Sequence, residues 1–157
     1  MGGSLGSTRV FEAVFETAKK MPGARFEVVL GKLNAPMRLK FSSLSNVVCH
    51  DFLSQEDLAK AYASSDLVVT RAGATSLAEI EASEADMVII PLEGSANDHQ
   101  RANAASYCEK GYAVLFEKDI SNLAELVRST LSKEAKKNPA LWKNGVDTVV
   151  SHITRKA

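Results

Sequence analysis

Cysteine is scarce in this chain of 157 residues, and the two that occur, Cys49 and Cys108, stand far apart with no C-x-x-C pair and no histidine cluster beside them. That spacing argues against a disulfide scaffold or a zinc site, and both thiols read as buried, inert members of apolar surroundings. Net charge is lacking as well, since nineteen Lys and Arg balance nineteen Asp and Glu. No overall field recruits nucleic acid or an anionic membrane, so any anion binding has to be local. No apolar run approaches the ~20 residues of a membrane span, and the first residues lack the apolar core of a signal peptide. The expectation is a cytoplasmic chain without a transmembrane segment. Internal repeats, low-complexity tracts and linkers are also missing, and with 45% apolar and 24% charged residues the composition is that of one globular domain over residues 1–157.

What is present is an alternation of short apolar runs with helical spacings. Strands are predicted over residues 25–30, 46–50, 66–70, 87–90 and 112–116, with Pro22-Gly23, Gly31, Pro91 and Gly111 as punctuation. Helices are predicted over residues 7–21, 32–45, 55–64, 74–83, 98–110, 122–132 and 140–154. The strands read as continuous apolar runs, which implies cover on both faces and a parallel sheet. Strand and helix alternation then gives a doubly wound, Rossmann-like α/β fold with helices on both faces. The opening Met1-Gly-Gly-Ser-Leu-Gly-Ser7 reads as a glycine-rich turn before the first helix, without a strand ahead of it.

The stretch from Asp66 to Asn103 carries the chemistry. A short buried strand breaks at Arg71-Ala72-Gly73 and turns into a helix whose first turn holds Ala74, Thr75 and Ser76. Such a helix presents unpaired backbone N–H groups and the positive end of its dipole at the carboxyl edge of the sheet, which is an anion site. Glu79 lies one turn further along. In a doubly wound sheet, ligands sit at the carboxyl ends of the strands, where the loops at residues 2–7, 50–53, 70–76 and 92–100 should converge. Each feature has a plainer reading by itself. Gly2-Gly3-Ser4-Leu5-Gly6 is a good turn, Glu79 a solvated carboxylate, Asn97 or Asp98 a helix cap, and His99 a base or an ordinary first-turn residue. His50 and His152 read as structural.

Together, Arg71-Ala-Gly-Ala-Thr-Ser-Leu-Ala-Glu79, Pro91 and Asp98-His-Gln-Arg-Ala-Asn-Ala104 resemble the carboxyl-terminal domain of the MurG-type glycosyltransferases, over residues 2–131. These enzymes have the GT-B fold and move N-acetylglucosamine from UDP-N-acetylglucosamine to the lipid-linked precursor of peptidoglycan. Soluble eukaryotic relatives that serve dolichol-linked transfer share the motif. The resemblance implies that Glu79 accepts hydrogen bonds from the ribose hydroxyls. It also implies that Gly73, Ala74, Thr75 and Ser76 donate to the pyrophosphate, with Gly3 and Ser4 opposing them. The backbone at Phe52-Leu53 would pair with the uracil edge, and Asp98 with Gln100 would read hydroxyls of the sugar. Arg71 would either screen the diphosphate or lock its loop. Oriented amides stabilise a leaving UDP without a metal, so neither metal nor other cofactor is expected, and no catalytic residue is assigned to this chain.

The family's amino-terminal domain, which binds the acceptor and contributes the proposed base, has no counterpart here, and Glu84-Ala85-Asp86 stands where a small residue, a basic one and proline are usual. The implied partners are UDP-N-acetylglucosamine and an amino-terminal domain or membrane subunit, with a location in the cytoplasm or on the inner face of the membrane. A rival reading is a non-catalytic module that docks on a membrane partner through Leu141, Trp142, Val146, Val149, Val150 and Ile153. A dinucleotide oxidoreductase is disfavoured because no strand precedes Gly2 and no acidic residue ends a second strand at the expected offset.

Overall fold

The computed structural model describes residues 3–31, 34–93, 98–132 and 150–155. Its elements, in chain order, are α1 (Gly3–Lys20), β1 (Ala24–Val29), α2 (Ala35–Phe41), β2 (Val47–His50), α3 (Gln55–Ala63), β3 (Leu67–Thr70), α4 (Ala74–Ala82), β4 (Asp86–Ile89), α5 (Asp98–Glu109), β5 (Ala113–Val114), a 3-10 turn (Glu117–Asn122), α6 (Leu123–Ser132) and β6 (Val150–Arg155). One six-stranded sheet in the order β2-β1-β6-β3-β4-β5 organises them.

A separate core covers each face. On one side Phe11 and Val14 of α1, Phe41 of α2 and Val127 of α6 pack on Phe26, Val28, Leu67, Val69 and Val88. On the other, Tyr62 of α3, Leu77 and Ile80 of α4 and Ala104 of α5 pack on Val68, Met87 and Ile89. Every residue of β3 is buried, as a strand sandwiched between helices requires. Asn46 fixes the slope of α1, its Nδ2 donating to the carbonyls of Ala18, Met21 and Ala24 at 3.1 Å each. That single amide closes the turn by which α1 enters β1.

Several expectations change. The segment at residues 150–155 was expected to end a helix begun at residue 140, but it is a strand, and residues 133–149 lie outside the described residues. Leu141, Trp142, Val146 and Val149 of the expected docking face therefore fall outside as well, while Val150 and Ile153 belong to β6. That strand runs antiparallel to both β1 and β3, so the sheet is mixed rather than all-parallel. The other pairings, β1 with β2, β3 with β4 and β4 with β5, are parallel as expected. β1 alternates buried and less buried positions because Arg25 and Glu27 give it one polar face. The first helix begins at Gly3 rather than Ser7, so Gly3 to Ser7 belong to a helix instead of a loop. Cys108 is exposed and Cys49 half-buried, so only the latter approaches the expected environment, where burial pushes its thiol up. His50, expected to be structural, lies 3.6 Å from Glu27 across the β1–β2 pair.

After α4 the chain turns through Glu84 at φ 62, the left-handed region where a side chain is strained and glycine is favoured. Glu84→Gly should therefore raise stability by roughly 0.5–1 kcal/mol, the relieved strain exceeding glycine's greater freedom in the unfolded chain. Urea denaturation measures it, and a lowered midpoint would show that the Glu84 side chain compensates its own strain.

Candidate functional site

The strand-to-helix junction after β3 is built from local sequence. Val68 and Val69 hold the strand in the sheet, and Gly73 at φ −72, ψ 127 serves as N-cap of α4, a glycine with no side chain of its own to accept from the first turn. The first hydrogen bond of the helix is Leu77 N–H to Gly73 O at 3.0 Å. The amides of Ala74, Thr75 and Ser76 precede it and have no partner within the helix. Ser76 is buried at 2% exposure, so its hydroxyl faces the protein interior. Thr75 and Glu79 are four residues apart, on one face of the helix, and both are half-buried. A Cβ added at Gly73 would meet nothing nearer than Ser76 Oγ at 3.9 Å. The fold itself thus tolerates a side chain there.

Three side chains hold this junction in place. Asn103 Nδ2 of α5 donates to the carbonyl of Ala72 at 3.0 Å. Arg71 Nη1 donates to the carbonyls of Ile90 at 3.2 Å and Pro91 at 3.4 Å, tying the end of β3 to the end of β4. The same Nη1 lies 2.6 Å from Oε1 of the buried Glu117. Of the two roles open to Arg71, the one these contacts support is locking the loop. Gln100 Oε1 accepts from the Leu92 N–H at 3.0 Å, which leaves its amide nitrogen as the group able to meet a hydroxyl.

The remaining predicted residues spread along the same sheet edge. Gly3 and Ser4 form the first turn of α1, so any donation from them comes from a second helix N-terminus. Phe52, 73% exposed, and Leu53 follow β2. Two strands, β1 and β6, separate β2 from β3, a spacing of about 14 Å. A ligand that touches both Leu53 and Thr75 must be extended, as a nucleoside diphosphate is. Asp98 begins α5 and His99 beside it is exposed, whereas Asn97, the other candidate cap, lies outside the described residues. Glu117 carries no signal in the sequence, being a lone carboxylate after an apolar strand, and Asn103 stands in the motif without a pattern that marks its role.

Fold and junction together define a Rossmann-like α/β domain with a glycine at the N-cap of the helix that follows β3. The chain belongs to the glycosyltransferase family 28 C-terminal domain, whose family model matches residues 1–152. Among its relatives is the UDP-N-acetylglucosamine--N-acetylmuramyl-(pentapeptide) pyrophosphoryl-undecaprenol N-acetylglucosamine transferase of Natranaerobius thermophilus, 43% identical over 53% of this chain and 22% of the relative. Transferases of the same name are 35% identical in Nitratidesulfovibrio vulgaris, over 88% of this chain and 40% of the relative, and 29% identical in Flavobacterium psychrophilum, over 99% and 42%. The chain thus spans less than half the length of these relatives. No solved structure gives a significant match. Among the described residues no helix is long and apolar enough to cross a membrane.

Proposed function

We propose that this chain binds UDP-N-acetylglucosamine as the donor half of a glycosyltransferase that passes N-acetylglucosamine to a polyprenyl-diphosphate-linked acceptor, the lipid I to lipid II step of peptidoglycan synthesis. The observation that carries this reading is the N-terminus of α4, where the N-cap is a glycine that makes no side-chain cap and Glu79 follows on the same face as Thr75. Amides there take the diphosphate, with Gly3 and Ser4 of α1 on its other side, and Glu79 takes the ribose hydroxyls. Phe52 and Leu53 meet the uracil, while Asp98 and Gln100 read the sugar. As UDP leaves, the α4 amides stabilise the charge that builds on its β-phosphate. The acceptor and the base come from an amino-terminal domain or a separate subunit, so the chain alone transfers nothing and acts in the cytoplasm against the inner face of the membrane. The relatives' names and their greater length support this division.

Calorimetric titration is the test. UDP should give saturable heat at millimolar ligand and ADP a weaker response. Glu79→Ala should weaken UDP about tenfold or more, the usual effect of losing a charged acceptor, with a smaller loss for 2′-deoxy-UDP, which keeps only the 3′-hydroxyl to be held. Equal binding of UDP and ADP, or no heat at all, would remove the proposal.

A further inference from the structure

Glu117 is the most deeply placed carboxylate near the site, at the start of the 3-10 turn and 5% exposed. Burying a carboxylate is unfavourable unless it is paired, and two arginines from different elements approach it. Arg71 Nη1, from the junction before α4, is 2.6 Å from Oε1, and Arg9 Nη1, from α1, is 3.8 Å from Oε2. Arg71 is itself nearly buried and also donates to the carbonyls that end β4. One carboxylate thereby gathers α1, the β3–α4 junction and the end of β4.

We infer that Glu117 is a positioning residue for diphosphate binding: through Arg71 and Arg9 it sets the N-termini of α4 and α1 relative to each other. This rests on the donor-site reading given above. Glu117 does not touch the ligand. It works because two helix ends can grip one diphosphate only if their separation is fixed before the ligand arrives, and displacements near 1 Å already weaken such contacts. It also compensates the charge of Arg71, which then serves the loop rather than the ligand. The alternative role of Arg71, direct screening of the diphosphate, predicts the opposite sign. Neutralising Glu117 would then leave a freed cation beside the ligand and tighten binding.

The experiment compares the full chain with Glu117→Gln and Glu117→Asp, titrating UDP and inorganic pyrophosphate by calorimetry and uridine by amide NMR shifts. Positioning predicts that UDP and pyrophosphate weaken together, about tenfold in Glu117→Gln and less in Glu117→Asp, while uridine binding stays unchanged and the Gly73 and Thr75 amide signals move. General loosening of the fold would weaken uridine in proportion and overturn the inference. Unchanged or tighter UDP binding in either variant would overturn it too. Should Glu117→Gln fail to fold, the charge-conserving Glu117→Asp decides alone. Absence of UDP binding in the unsubstituted chain, by contrast, removes the donor-site reading itself and this inference with it.

Discussion

Gly73→Asp is expected to stabilise the protein and abolish its diphosphate site in the same step. The N-cap of α4 has extended dihedrals and no capping side chain, and an added Cβ finds only an ordinary contact with Ser76 Oγ at 3.9 Å. An aspartate there can accept from the Thr75 or Ser76 amide and place a negative charge at the positive end of the helix dipole. Together with the lower freedom of the unfolded chain, this should add about 1 kcal/mol. The same carboxylate occupies the amides a phosphate would use and repels its charge. UDP affinity should fall about a hundredfold or more, on the order of 3 kcal/mol. A melting curve and a UDP titration on one sample decide it. Stabilisation with intact UDP binding would mean that the diphosphate sits elsewhere, and lost binding accompanied by destabilisation would reduce the effect to damage.

Opposed signs of this kind arise where a sequence leaves a favourable local choice unused. Glycine at the α4 N-cap is not required by dihedrals or by space among the described residues, which is what a binding role for the bare amides would explain. The local structure of the junction was legible for that reason. The Arg71-Ala-Gly-Ala-Thr-Ser run announces a strand that breaks into a helix, and the observed α4, Ala74–Ala82, begins at the predicted residue. The place of Glu79 one turn into α4 follows from helical spacing, while a role for it comes only from the family resemblance. Glu117 was not legible, because its partners Arg71 and Arg9 lie far away in sequence and only the folded sheet brings them together. The fold divides in the same way. Strands flanked by their own helices, such as Leu67–Thr70, were readable from apolar runs and turn residues. β6 was not, because Val146, Val149, Val150 and Ile153 fall at i, i+3, i+4 and i+7, which is the spacing of a helix. The β-branched Val150, Ile153 and Thr154 favour a strand, and the gap between β1 and β3 is the tertiary feature that decides for it.

That gap makes removal of residues 150–157 the most destructive change to expect. β6 pairs with β1 over six residues, Ala24–Val29, and with β3 over four, Leu67–Thr70, while β1 and β3 reach each other only through it. Taking it away leaves a two-stranded and a three-stranded piece with their inner edges open. Those edges lie beside Phe26, Val28, Leu67 and Val69, which are at most 2% exposed in the intact protein. At about 1 kcal/mol net for each ladder hydrogen bond, some ten bonds approach the whole stability of a domain this size, before any apolar burial is counted. The truncated chain should lose its cooperative urea transition and associate through the open edges, visible as a flat far-ultraviolet transition and a shifted elution volume. A cooperative transition with a urea midpoint close to that of the full chain would show instead that β1 and β3 close directly on each other. The junction after β3 would then shift by one strand spacing, about 5 Å, towards β1. Titrating UDP into that species would show whether the two helix N-termini tolerate the new separation, since a diphosphate gripped from both sides binds at only one of the two spacings.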